Sequence, residues 1–358
     1  MRRKFTNKYQ EIFEKEGPLA VFKEFNNEKL FEKQIRVYGW EDSGNSSYDY
    51  NLIPSVSKYL FEKLEIKEAY IDPKLENRPG IIKESTKYIT IHDTAAAKPG
   101  SGAVSHMKYV TNGGNGTSWH YTIGNDGTFK HLPHEEVAYH AGDGSRCYTL
   151  ENSYVKATTL NPTIDISSDG YYILNNEKTK IIAPTNDGVI LSKDYFNDLG
   201  IEIKIINDYY YLGTTWFSKT YNLIGNGGGN RNSIGIESCI DKGSDIYLTW
   251  QRLAKLVAYL LKVENLDLDA VVQHHYFSGK DCPKTMRHAQ MWDHFLDLVE
   301  AEYFVLTKMT NYEITIKPLS QNIKENGRVI SLESLPLKYE IIIKDENNNI
   351  FKDILICN

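Results

Sequence analysis

The sequence predicts an α/β fold, a central β-sheet with helices packed against it, and three observations carry that prediction. Short strand-like runs recur at residues 87–94, 119–124, 232–239 and 270–273; the longer ones alternate apolar and polar residues, the period of a strand with one face on a core. Two later stretches carry the spacing of amphipathic helices: Leu253, Leu256, Val257, Leu260 and Leu261, and then Met291, Phe295, Leu298 and Val299. The third observation is chemical, because His92, Glu237 and His274 all fall on core-opposed or terminal strand positions, which describes a cleft on one side of the sheet.

Taken in order, residues 1–80 form an N-terminal region packed on the core, with helical character at residues 7–16 and 55–64. Its aromatics Tyr38, Trp40, Tyr48 and Tyr50 are expected to pack this region against the next, with ligand contact as the other use. Turn signals at Asp72-Pro73 and Arg78-Pro79-Gly80 place the boundary. In the strand at 87–94, Ile89 and Ile91 share the core face, and His92 emerges opposite it at the strand's end. A short helix follows from Gly102 to about Tyr109, then a glycine loop at 113–116. A second strand at 119–124 turns at Asn125-Asp126-Gly127 and returns through residues 128–132, with Trp119, Tyr121 and Ile123 inward and His120 opposite.

After the loop His140-Ala-Gly-Asp-Gly144, the composition shifts to Tyr, Asn, Ile and Thr with turn pairs, and residues 145–231 read as an ordered β-rich insertion. Two of its stretches, 169–174 and 208–213, look loosely alike without establishing a repeat. The strand at 232–239 resumes with Ile234 and Ile236 on the core face and Gly235, Glu237 and Cys239 on the other. Thr249 is the expected N-cap of the helix to about Val263. A strand at 270–273 delivers His274, a last helix runs from Cys282-Pro283 to about Tyr303, and residues 306–358 form a small β module, distinct from the core, with a hairpin around 345–349.

Composition excludes several classes. A chain of 358 residues suggests one main core with appendages, and 41% hydrophobic with 25% charged residues is ordinary globular usage. A net charge of −6 without a basic patch argues against a nucleic-acid binder. The basic start is not followed by an apolar stretch, and no run approaches the roughly 20 apolar residues of a membrane span. The expectation is a chain made soluble in the cytoplasm, without a signal peptide. Four cysteines, Cys147, Cys239, Cys282 and Cys357, are too scattered for a disulfide scaffold, so a metal or catalytic role for one of them is the better reading. The 25 tyrosines suit half-exposed carbohydrate or peptide grooves.

Residues 273–283, QHHYFSGKDCP, concentrate the chemistry: two imidazoles, a lysine and a cysteine within one short segment. Imidazole and thiolate are preferred zinc ligands, a catalytic zinc usually has three protein ligands, and the best upstream candidate for the third is His92. Five segments in order, residues 89–95 (ITIHDTA), 118–121 (SWHY), 140–144 (HAGDG), 232–237 (NSIGIE) and 274–283, closely resemble the type 2 N-acetylmuramoyl-L-alanine amidases. That family includes phage lysozyme-type endolysins, AmpD-like amidases and peptidoglycan recognition proteins, and the resemblance covers roughly residues 81–303 less the insertion.

The resemblance implies a mixed central sheet flanked by helices and hydrolysis of the amide between N-acetylmuramic acid and L-alanine. It implies Zn2+ on His92, His274 and Cys282, with Glu237 and Lys280 catalytic. His274 is preferred to His275 on the family spacing. Thr94, His120 and His140 are implied as substrate-binding residues, and peptidoglycan or a muropeptide as substrate. A phage or prophage endolysin released by a holin is the expected context, with AmpD-like recycling as its alternative; oligomeric state is left open. The chain departs from the endolysin pattern at Trp119, where that branch has tyrosine, and in the length of its insertion. Two other readings are a cysteine hydrolase built on Cys282, and a non-catalytic wall-binding module, whose signature would be a replaced third ligand or glutamate. Both Cys282 and Glu237 are in place.

Overall fold

The computed structural model describes residues 3–27, 34–41, 44–51, 64–142, 144–145, 150–159, 162–183, 185–186, 189–190, 203–213, 222–223, 229–278, 280–323 and 336–357. Six strands form the central sheet: β1 Ile66–Glu68, β2 Tyr88–Asp93, β3 Tyr121–Gly124, β4 Gly127–Lys130, β5 Ser233–Ser238 and β6 Val271–Gln273. Their order is β6-β2-β5-β3-β4-β1. The first four run parallel, β3 and β4 form the antiparallel hairpin, and β1 lies parallel to β4. The sheet is therefore mixed, and its edge strand β1 comes from before residue 80, where turn signals had suggested a boundary.

Among the described residues, the helices of five or more residues are α1 Lys8–Glu16, α2 Pro18–Asn27, α3 Ala103–Thr111, α4 Ile246–Val263, α5 Lys284–His288 and α6 Trp292–Lys308. On one face of the sheet Ile89, Ile91, Tyr121, Ile123, Ile234 and Ile236 pack with Leu253, Leu256, Val257, Leu260 of α4 and Phe295, Leu298, Val299 of α6. Each such side chain, fully buried, favours folding by about 1.5–3 kcal/mol. On the other face α3 meets the hairpin, and Ala103 packs with Phe129 and Cys239.

Helix ends differ from expectation in two places. Asp245, not Thr249, caps α4: its carboxylate accepts from the Leu248 amide at 2.9 Å, and Thr249 sits one turn inside, holding Asn125. The last helix is two, α5 and α6, because Gln290 takes a left-handed conformation with φ 57° between them. Trp119 also leaves the strand alternation. It joins Ile71, Val110, Leu132 and Ala138, and its indole donates to Thr122 at 2.6 Å.

The tail is not separate from the core. Strands Glu313–Pro318, Leu337–Lys344 and Ile350–Cys357 form an antiparallel sheet, and alternation drives Leu337, Tyr339, Ile341 and Ile343 into the same cluster as Val21, Phe22 and Phe25 of α2. Asn26 donates to the Ile356 carbonyl at 2.8 Å and accepts from Tyr339 at 3.0 Å. The aromatics Tyr38, Trp40, Tyr48 and Tyr50 lie on an antiparallel hairpin, Gln34–Glu41 with Gly44–Asn51. The helix expected at 55–64 falls outside the described residues, apart from Leu64.

Within the insertion, Tyr209–Gly213 is the middle strand between Ile203–Ile206 and Leu150–Lys156, and Tyr171–Leu174 is the middle strand between Ile164–Ile166 and Glu177–Ile182. The two look-alike stretches thus occupy equivalent places in two small sheets. A core of its own, including Val155, Tyr172, Leu174, Tyr210 and Leu212, joins them. Residues 144–145 pair with 222–223, so the insertion leaves and returns at one place.

Candidate metal centre

The parallel strands bring the chemistry together at their carboxyl ends, the usual position for a site in such sheets. Register sets Glu237 of β5 beside His92 of β2, and Gln273 of β6 beside Ile91. The next residue, His274, donates its amide to the Ile91 carbonyl at 3.1 Å, which fixes it next to His92. Cys282 arrives on the loop that follows. That loop is closed by the His275 amide on the Cys282 carbonyl at 3.1 Å and tied down where Thr285 donates to the Asp93 carboxylate at 2.8 Å.

His92, His274 and Cys282 are all buried, with ligand atoms within 4.8 Å of one another. Nδ1 of His92 lies 3.7 Å from Sγ of Cys282 and 3.8 Å from Oε1 of Glu237. The rings of His92 and His274 meet edge to face at 4.6 Å. Nδ1 of His274 and Oε2 of Glu237 are buried with no hydrogen bond. A buried polar atom left so costs about 1–3 kcal/mol, and a cation among these atoms would relieve it. Two imidazoles and a thiol are three donors of the kinds that hold a catalytic zinc, so the residues fit that metal.

Electrostatics agree with a ligand role. Burial first, then the neighbouring cationic groups, hold His92 and His274 well below the ordinary histidine range, which leaves neutral rings with a lone pair to offer. Burial pushes the Cys282 thiol up; a metal ion inverts that preference by stabilising the thiolate. Burial raises Glu237 to about 8, opposed by Lys280 and reinforced by Asp93. Its side chain keeps 15% of its surface open, although Oε2 itself is buried. Lys280 is exposed on the loop before Cys282, and its charge is felt at Glu237, His92 and His274.

The remaining expected residues separate. Thr94 follows β2, half-buried, its hydroxyl buried without a hydrogen bond. His120 is fully buried, and both ring nitrogens are taken by backbone: Nε2 donates to the Glu136 carbonyl and Nδ1 accepts from Gly235. The structure does not bring it to the site. His140 stands behind His92, with Nδ1 2.9 Å from Nε2 of His92. His275 faces away, lining a separate cavity with Arg3, Tyr276 and Trp292.

Sequence reasoning missed what holds the site. Asn230 Oδ1 accepts from the amides of His140, Ala141 and Gly142 at 2.8, 2.8 and 3.0 Å. Thr90 and Ser233, polar residues on buried strand positions, pair at 2.7 Å. The signal was available, because polar side chains buried in a strand require partners.

The sequence profile of the family described as N-acetylmuramoyl-L-alanine amidase matches residues 83–285. The N-acetylmuramoyl-L-alanine amidase CwlH of Bacillus subtilis (strain 168) is 26% identical over 232 residues, 65% of this chain and 60% of that protein. XlyA of the same strain, also an N-acetylmuramoyl-L-alanine amidase, is 25% identical over 232 residues, 65% of this chain and 50% of that protein. The solved catalytic domain of XlyA is 25% identical, with coverage of 66% of this chain and 99% of that one and a TM-score of 0.41. The chain thus spans between half and 60% of the length of these curated relatives.

Proposed function

Because this chain belongs to the N-acetylmuramoyl-L-alanine amidase family, we propose that it is a zinc-dependent hydrolase of the amide joining N-acetylmuramic acid to L-alanine in peptidoglycan. The observation that carries the reading is the buried set His92, His274 and Cys282 with ligand atoms within 4.8 Å, beside the carboxyl of Glu237. When bound there, zinc polarises an amide carbonyl and acidifies a water molecule. Glu237 takes the proton of the attacking water as its oxygen bonds to the carbonyl carbon. It then gives that proton to the peptide nitrogen as the C–N bond breaks, leaving an acid on the sugar side and an amine on the peptide side. Without a metal, burial favours the protonated carboxyl of Glu237; the positive charges of a bound zinc and of Lys280 would favour the ionised form that a general base needs. The Lys280 ammonium offsets the negative charge that develops on the carbonyl oxygen. Thr94, just after β2, has a buried hydroxyl without a hydrogen-bond partner, which we assign to substrate contact.

The context we assign is a phage or prophage endolysin released to the wall by a holin. The β-rich insertion, whose two ends meet just after the His140 loop, supports intact wall over soluble fragments. Tyr172 and Tyr210 are core, but Tyr171, Tyr209 and Tyr211 are half-exposed and available to stack on sugar or peptide. We assign the amidase activity to residues 81–305, with residues 1–80 packed on them and supplying the edge strand β1, and wall binding to the 306–358 sheet that packs on α2. Among the described residues no helix is long and apolar enough to cross a membrane. Mass analysis of fragments released from whole wall tests the reading. New amino-terminal L-alanine and intact N-acetylmuramic acid are expected, and cleavage at a glycosidic bond or within the stem would refute it. Removing residues 150–225 should lower wall binding; unchanged binding and turnover in a folded variant would make the insertion a structural appendage.

A further inference from the structure

A chain of hydrogen bonds runs from β5 to His92, and its direction is set at the far end. The Gly229 carbonyl can only accept, and Ser233 Oγ donates to it at 2.6 Å, which uses the one proton of that hydroxyl. Ser233 oxygen is then an acceptor, from Thr90 Oγ1 at 2.7 Å and from His140 Nε2 at 3.4 Å. His140 Nε2 therefore carries hydrogen. A neutral imidazole has one N–H, so His140 Nδ1 is an acceptor, and His92 Nε2, 2.9 Å away, must donate to it. The charged alternative for His140 would place an imidazolium between His92 and Ser233, neither of which is an anion that could offset its charge. The ring has little room to turn. Its backbone is held by Asn230, and Gly235 lies under it so closely that an added Cβ would stand 2.7 Å from Cγ and Nδ1.

We infer that His140 is a positioning residue: with Ser233 and Thr90 it fixes His92 in the Nε2–H tautomer and aims the bare Nδ1 lone pair at the space shared with Cys282 and Glu237. The role replaces the substrate contact expected of His140. Its consequence for metal binding rests on the reading of His92 as a zinc ligand; the tautomer itself is a property of the metal-free chain. Outer partners of this kind typically contribute 10- to 100-fold in metal affinity.

The test has two arms. In metal-free protein carrying 15N-labelled histidine, long-range 1H–15N correlation spectra should show His92 protonated at Nε2 and His140 likewise. Protonation of His92 at Nδ1, or a mixture of tautomers, would overturn the inference. In the second arm, zinc affinity is measured by competition with a chromogenic chelator. His140→Phe, which keeps the ring volume but offers no acceptor, should weaken zinc by about 10- to 100-fold, with partial recovery in His140→Gln. Ser233→Ala, which cuts the chain one step back, should allow both His140 tautomers and give a smaller loss. Wild-type affinity in folded His140→Phe or, if that variant does not fold, an unmixed His92 tautomer in Ser233→Ala would refute the role. If wild-type protein takes up no zinc at all, the amidase reading fails while the spectra still decide the tautomer.

Discussion

Asn230→Ala is expected to destabilise the protein by about 2–6 kcal/mol, and the figure follows from three hydrogen bonds made by one oxygen. Oδ1 of Asn230 accepts from the amides of His140, Ala141 and Gly142, and the residue itself is buried. Truncation removes all three. The bonds to His140 and Gly142 are only partly buried, so water can replace the lost acceptor and each costs about 0.5–1.5 kcal/mol. The bond to Ala141 is buried, and an amide left there without a partner costs about 1–3 kcal/mol. Asn230→Asp keeps the acceptor and adds charge to it, so it should recover at least half of the loss. Urea unfolding followed by tryptophan fluorescence measures both variants, with the slope against denaturant checked for constancy. A change below about 0.5 kcal/mol in Asn230→Ala, the range of an ordinary surface substitution, would refute the claim that this side chain clamps the His140 loop to the insertion's return.

Glu237→Gln and Lys280→Ala should keep bound zinc and wall binding while turnover falls by roughly 100-fold or more, because each acts on charge that appears only in the transition state; near-normal turnover in both would refute these roles. Far from the site, burial raises Glu302 to about 7 against the opposing pull of Lys255, 3.1 Å away. Between the ordinary carboxyl value of 4.5 and about 7 the folded chain holds a proton that the unfolded chain has released. This contribution to stability is full below that window and is lost as pH rises through it. Glu302→Gln should therefore gain in urea midpoint relative to wild type from pH 5 to pH 7.5, and a pH-independent difference would count against the assignment.

The strands that carry the candidate site were legible because their alternation is clean and their polar exceptions are chemical: His92, Glu237 and His274 interrupt runs that otherwise read as core. Cys282 stood out because a thiol and an imidazole lie eight residues apart on one loop. The supports were not legible. Asn230 acts on amides about ninety residues earlier, a pairing that appears only when both ends of the insertion meet. His120 and His140 look alike in sequence, each in a short motif near a turn, yet backbone partners bury the first while the second faces His92. Strand β1 is three residues long, too short to declare a period, and the tail's union with α2 depends on contacts spanning more than three hundred residues. Thr249 lost the N-cap to Asp245 because capping is decided by where the carboxylate can reach, not by residue type alone.

The central claim is that one zinc sits between His92, His274 and Cys282 and that hydrolysis depends on it. Metal content of purified protein, read by elemental mass spectrometry alongside release of L-alanine amino groups from wall, tests it most directly. Wild type should carry one zinc per chain, lose activity to a chelator and regain it with zinc, while Cys282→Ser and His92→Ala lose metal and activity together. One zinc per chain in a fully folded His92→Ala, or full wall hydrolysis by metal-free wild type, would contradict it.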